Sequence, residues 1–244
     1  MRLKIFLFLI LSYSLCFAEW KYSDYEKTDH TNFRQNPIFQ QIIDPDNIDY
    51  PLAHAAIFFV TNETRVKNGL PALEFSKELE MTAWDHSRSM VENNFFSHKN
   101  PYNREKYEPA DRAKLAGVTN PYIAENIAES FGIRYNAGVP LYPRNTSEGA
   151  FSYTPNGEII KNHTYLSLAE SLVNQWMNSS GHRANILSKS ALQMGCGIYF
   201  YRDKNFYNML KCRATQNFQW FRKIIPATTD ALSPSNNSKT LKAP

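Results

Sequence analysis

The sequence predicts an α+β fold, layered as an α/β/α sandwich, with helices before and around a small antiparallel sheet. Three observations carry that expectation. Residues 48–68, 76–93 and 167–178 repeat apolar side chains at i, i+3 and i+4, the period of a half-buried helix. Residues 194–202 and 206–213 read as two strands joined by Asp203-Lys204-Asn205. The chain of 244 residues is 43% hydrophobic and 20% charged, enough to bury a core without metals or many disulfides. A mean hydropathy of −0.49 excludes a polytopic membrane protein. A net charge of +4 gives no argument for nucleic acid.

Residues 1–18 have the pattern of a secretory signal peptide. Arg2 and Lys4 precede the apolar run Ile5–Leu11, and Cys16-Phe17-Ala18 puts small residues at a cleavage site before Glu19. The run falls short of the ~20 residues a membrane span needs. Tyr13-Ser14-Leu15 is a poor lead-in for lipidation at Cys16. Residues 19–47 lack a sustained period and are expected to be a lead-in that packs loosely or is partly disordered.

Asp49 and Pro51 mark the start of the first helix, and Gly69 its end. His54 falls off its apolar stripe and is expected in solvent. Ser76 caps the second helix, and residues 109–115 form a short third one closed by Gly117. Residues 129–166, with Pro140, Pro143, Pro155 and an Asn156-Gly157 turn, read as an insertion that could shape a nearby rim. Ser167 and Glu170 form an expected capping box for the last long helix, with Gly181 as its left-handed stop. Residues 223–244 are expected to be a disordered tail.

Export would leave two cysteines, and an even count outside the cell suggests a disulfide. Folding the hairpin about Lys204 sets Cys196 opposite Cys212, within bridging range. Two free buried thiols are the alternative.

HExxH, GxSxG, P-loop and CxxC patterns are all missing from the sequence. What remains is dispersed. His98, Glu125 and His182 each stand in a polar, turn-like segment. Two imidazoles and a carboxylate could hold a divalent metal such as zinc with a position open for water, or act as an acid/base pair.

The wording around these residues is more specific than their spacing. Asn62-Glu63-Thr64-Arg65 with Gly69-Leu70-Pro71-Ala72-Leu73, then Asn94-Phe95-Phe96-Ser97-His98, Glu125-Asn126-Ile127-Ala128, and Trp176-Met177-Asn178-Ser179 running into Gly181–Leu187 follow in order. Over about residues 48–220 this resembles the CAP superfamily of cysteine-rich secretory proteins, antigen 5 and pathogenesis-related proteins (the SCP domain), in its short bacterial branch. The resemblance implies a CAP/SCP domain at 48–222 and a cleft. Many members place two His and two Glu there, able to bind a divalent metal. His98, Glu125 and His182 match three of those places. Ser179 stands where the second Glu is often found, so the set is incomplete.

Three functions follow from the resemblance. The first is a secreted or periplasmic module whose cleft binds a small molecule, a lipid or an envelope or host protein. The second is a metal-assisted hydrolase, with His98 and His182 holding the metal and Glu125 polarising water. The third is an envelope or host-surface interaction protein with a vestigial cleft. The missing carboxylate favours binding over catalysis. Neither nucleic acid nor a membrane span remaining after signal cleavage is expected.

Overall fold

The computed structural model describes residues 19–220. The signal peptide expected at 1–18 and the tail expected at 223–244 lie outside the described residues. The long elements run in the order α1 (Tyr50–Lys67), β1 (Glu74–Phe75), α2 (Lys77–Glu92), α3 (Pro109–Leu115), β2 (Ile123–Phe131), β3 (Tyr142–Asn145), β4 (Ala150–Ser152), α4 (Tyr165–Met177), α5 (Ser180–Ile186), β5 (Gln193–Asp203) and β6 (Met209–Gln219). The main sheet has the order β1-β5-β6-β2, with β1 parallel to β5 and the other pairs antiparallel.

The alternation of strand side chains sorts the layers. Met194, Cys196, Ile198 and Phe200 of β5, with Cys212, Ala214 and Phe218 of β6, join α1 and α4 in one core. The odd-numbered positions meet α2 instead. There Gly195 and Gly197 have no side chain, and a Cβ on either would overlap the backbone of Glu80 or Trp84. Polar groups complete this second interface. Ser87 Oγ lies 2.9 Å from Thr215 Oγ1, and Asn217 Nδ2 donates to Thr82 Oγ1 at 2.9 Å. The result is the expected α/β/α sandwich, with one interface apolar and the other largely polar.

The caps at Asp49 and Ser76 form as expected, each accepting from a backbone N–H of the first turn. Several expectations are corrected. The lead-in is part of the core: Phe33, Phe39 and Ile43 are fully buried and Trp20 nearly so. Phe33, Phe39 and Trp20 pack around Phe59 of α1. Tyr22 and Tyr25 donate to the two oxygens of buried Glu80, each at 3.0 Å. With this segment on its outer side, α1 is buried almost all round from Leu52 to Asn62. His54 is therefore buried too, with Nε2 3.5 Å from the Ile198 carbonyl and Nδ1 3.8 Å from Glu80.

Helix α4 begins two residues before the expected Ser167. Thr164 is its cap and Ser167 the reciprocal partner. Glu170 instead pairs with Arg34 of the lead-in at 2.7 Å. Gly181 does not stop a helix; it lies inside α5. The insertion forms the β3–β4 hairpin, whose Phe151 packs with Ile133, Ile160 and Met209. It sits at the turn end of β5–β6, where Arg202 donates to Glu148 O and Asn208 to Thr146 O. Glu125 and Phe131 are six residues apart along β2, roughly 20 Å, so the insertion does not border the histidines.

The expected disulfide is also corrected. The β5–β6 connection takes five residues, 204–208, with Tyr207 and Asn208 left-handed. That shifts the register, so Cys196 faces Gln216 and Cys212 faces Phe200. Four residues of offset is roughly 13 Å, about twice what a disulfide spans. Both thiols are free and buried. Burial pushes Cys196 well above its ordinary value and Cys212 up to about 12, so neither is a thiolate at neutral pH.

Thiol titration of the chain from Glu19 should give two reactive groups in denaturant and none in the native protein, and reducing agent should leave its Tm unchanged. Phe39→Ala should lower stability by about 3–5 kcal/mol in urea unfolding. A loss under about 1 kcal/mol would return the lead-in to a loosely packed segment.

Candidate functional site

Strand β2 is an edge of the main sheet, and the candidate site is built across it. Successive residues of this strand point to opposite layers. Glu125 pairs in register with Asn217 and so faces the α2 side. Asn126 pairs with Gln216 and faces the α5 side. Helix α2 ends at Glu92, and the left-handed Asn94 turns the chain back toward the edge strand. The following loop carries His98.

His98 and Glu125 come together. His98 Nδ1 lies 2.9 Å from Glu125 Oε1. The His98 side chain is 48% exposed and the Glu125 side chain 1%. Glu125 Oε2 accepts from Arg112 Nη2 at 2.6 Å. The other terminal nitrogen of Arg112 donates to the carbonyls of His98, Lys106 and Tyr107 at 3.0–3.2 Å. This one guanidinium thus balances the buried carboxylate and holds the loop that presents His98. Burial pushes the Glu125 carboxyl up, but the hydrogen bond from His98 and the charge of Arg112 outweigh it and hold it below the ordinary value.

His86 of α2 lies behind the pair, fully buried. Its Nε2 lies 2.9 Å from the Ser97 carbonyl and 3.8 Å from Glu125 Oε1, and its Nδ1 has no partner. Burial, with Arg112 nearby, lowers it to about 4 in spite of Glu125. It is neutral at neutral pH.

His182 lies in α5, not in a turn, and is half-buried. Burial and the charge of nearby His98 lower its pKa. A separate network fixes its position. Asn126 Nδ2 donates to the His182 carbonyl and to Gln216 Oε1, both at 3.1 Å, and Asn185 Nδ2 donates to Asn126 Oδ1 at 2.9 Å. Gln216 continues it to Thr61 of α1 at 2.6 Å. Ser179 stands at the N-cap of α5 without a side-chain cap bond. Arg65, buried in α1, holds the other end of α5 through the Ile186 carbonyl at 2.6 Å.

Sequence reasoning had no signal for two members of this cluster. Arg112 sits on a seven-residue helix with no motif around it, and His86 reads as one more partly buried helix residue. The turn-like setting expected for Glu125 is corrected as well: it lies on strand β2.

In the neutral ring, a carboxylate on Nδ1 holds the proton there and leaves Nε2 as a lone pair. That atom can accept a hydrogen bond or take a proton. It could also bind a metal, together with His182. Each oxygen of Glu125 already has one partner, His98 on Oε1 and Arg112 on Oε2. Among the described residues no group of three or more His, Cys, Asp or Glu is placed to hold a metal ion. Two imidazoles fall short of the three protein ligands usual in a catalytic zinc site.

Residues 58–218 match the cysteine-rich secretory protein family, CAP, and the chain belongs to that family. Two Bacillus subtilis (strain 168) proteins are similar. The uncharacterized membrane protein YlbC is 28% identical over 66% of this chain, and the uncharacterized protein YkwD 28% over 57%. The chain spans 33% and 39% of their lengths. An extracellular SCP-domain protein of Bacillus anthracis is 24% identical, with a TM-score of 0.46, over 73% of this chain and 44% of its own. No helix among the described residues is long and apolar enough to cross a membrane.

His86, near 4, and His163, also lowered to about 4 by burial and Arg134, set a pH dependence. Unfolded histidines take up protons near 6.5. As pH falls, the unfolded chain therefore gains protons first. Stability is full above about pH 6.5 and declines through about 4, by about 3 kcal/mol for His86. Urea midpoints should fall between pH 7 and 4.5, and His86→Gln should remove about half of that slope. An unchanged slope in the variant would show that His86 is not held neutral.

Proposed function

We propose that this chain is an exported CAP module that binds a ligand at the β2 edge through His98 and His182, without a catalytic step of its own. The observation that carries this reading is the half-exposed His98 ring backed by a fully buried Glu125–Arg112 pair. Burying two charges costs several kcal/mol unless their geometry repays it. Here the pair fixes one tautomer and aims one bare nitrogen outward. An atom presented in that way suits a ligand with a hydroxyl or amide hydrogen, as a lipid headgroup, another small molecule or an envelope protein would offer. Export rests on the basic, apolar and small-residue pattern of residues 1–18, and the compartment is the periplasm or the exterior.

The incomplete acidic set supports binding over hydrolysis. With Ser179 at the place of a second carboxylate and Glu125 committed to its partners, the site has no free general base besides the imidazoles. Zinc, if it binds, has two imidazole ligands, and its affinity should be weak.

Three measurements test this. Nitrogen-15 histidine spectra should show His98 with its proton on Nδ1 and Nε2 bare. A proton on Nε2 would sink the assignment. Native mass spectrometry of protein recovered from envelope extract should show a bound small molecule or partner in the wild type that is missing from the His98→Ala/His182→Ala variant. Identical spectra for the two proteins would remove the cleft as the binding site. Calorimetry with zinc alone should give no tight one-to-one complex, and a tight one would restore the metal-dependent reading.

A further inference from the structure

The chain contains two Asn-Gly pairs, Asn68-Gly69 and Asn156-Gly157. In such a pair the glycine nitrogen has no side chain to shield it, and it can attack the preceding asparagine amide. Both asparagines are exposed, so exposure does not separate them. Their hydrogen bonds do.

Asn68 caps the C-terminus of α1. Its Nδ2 donates to the Thr64 carbonyl at 2.8 Å. Gly69 N donates to Val66 O and Leu70 N to Arg65 O, each at 3.0 Å, and Gly69 is left-handed. Asn156 stands in the turn Thr154-Pro155-Asn156-Gly157, just after β4 in the insertion. Proline takes the second position of this turn, and Gly157 N donates to Thr154 O at 3.1 Å. Ser152 Oγ donates to the same carbonyl at 2.6 Å, so Thr154 O keeps a partner when the turn bond opens. Among the described residues the Asn156 side-chain amide has no hydrogen bond. Arg144 Nη1 donates to the Gly157 carbonyl at 2.6 Å from an exposed side chain that can follow it.

Ring closure needs the asparagine Cγ and the next backbone nitrogen brought together, by rotation about the Cα–Cβ and Cα–C bonds. At Asn68 that rotation breaks the three hydrogen bonds that end α1. At Asn156 it breaks the single Gly157–Thr154 bond of the turn. We propose that Asn156 is a site of spontaneous hydrolytic modification, while Asn68 in the same chain stays intact. Gly157 N loses its proton to solvent and attacks Asn156 Cγ. The new N–C bond closes a succinimide as the amide nitrogen leaves as ammonia. Water then opens the ring. Addition at Cγ gives aspartate, and addition at the main-chain carbonyl gives isoaspartate. The new carboxylate arises beside Arg144, a cation already bound to this turn. Isoaspartate also adds a methylene to the main chain, which the Thr154–Gly157 bond does not span. This inference does not depend on what the histidine cleft binds.

The test incubates the chain from Glu19 at mildly alkaline pH, native and in urea, and follows both pairs by peptide mass spectrometry. Conversion adds one dalton, and the isoaspartyl product is counted with a protein isoaspartyl methyltransferase. In urea the two asparagines should convert at similar rates, since glycine follows each. In the native protein Asn156 should convert about tenfold faster than Asn68 or more, because each retained hydrogen bond is worth roughly a two- to tenfold factor. Asn156→Gln should abolish the fast conversion and leave Tm unchanged. The proposal is overturned if the two convert equally in the native protein, or if Asn156 stays intact there while it converts in urea. A fast one-dalton gain that persists in Asn156→Gln would overturn it as well.

Discussion

Everything around the candidate site depends on how closely α2 lies on β5. Gly195 and Gly197 leave the strand bare where the helix crosses it, and a methyl group at either position would push the helix off. Close packing forfeits its dispersion energy over gaps of even an ångström. A displaced α2 would carry with it the Ser87–Thr215 and Thr82–Asn217 contacts, His86, and the turn at Asn94 that delivers His98. The site is thus positioned by two missing side chains rather than by the residues that do its chemistry.

Given that placement, electrostatics decides what the site becomes. Glu125 would be costly as a buried charge alone. Arg112 and His98 share it, one from within the fold and one from the solvent side. His86 could have competed for the same carboxylate, but burial keeps it neutral and its Nε2 lies closest to the Ser97 carbonyl. The consequence is one imidazole presented outward and one held inward, from two residues of the same type only twelve positions apart.

The lead-in and the hairpin turn show how non-local packing overrides local pattern. Residues 19–47 have no period because they form no long element. They are nevertheless ordered, since Phe33, Phe39 and Trp20 fill the space beside Phe59, and Tyr22 and Tyr25 close over Glu80. At the hairpin, two left-handed residues lengthen the turn, and the cysteines move out of reach of each other. A bridge between them would require a register four residues shifted from the observed one.

The sequence by itself determined the layers, the starts of α1 and α2, the β5–β6 hairpin and the family, because each is written in a local period, a cap residue or an ordered motif. It also brought His98 and Glu125 forward as partners by resemblance. Only the tertiary structure decided that Arg112 and His86 belong with them, that Glu125 is engaged on both oxygens, and that the cysteines stay apart. Those outcomes depend on which residues meet across the sheet after packing, on a turn length set by backbone conformation, and on the cost of leaving a buried charge unpaired. No short window of sequence encodes any of the three.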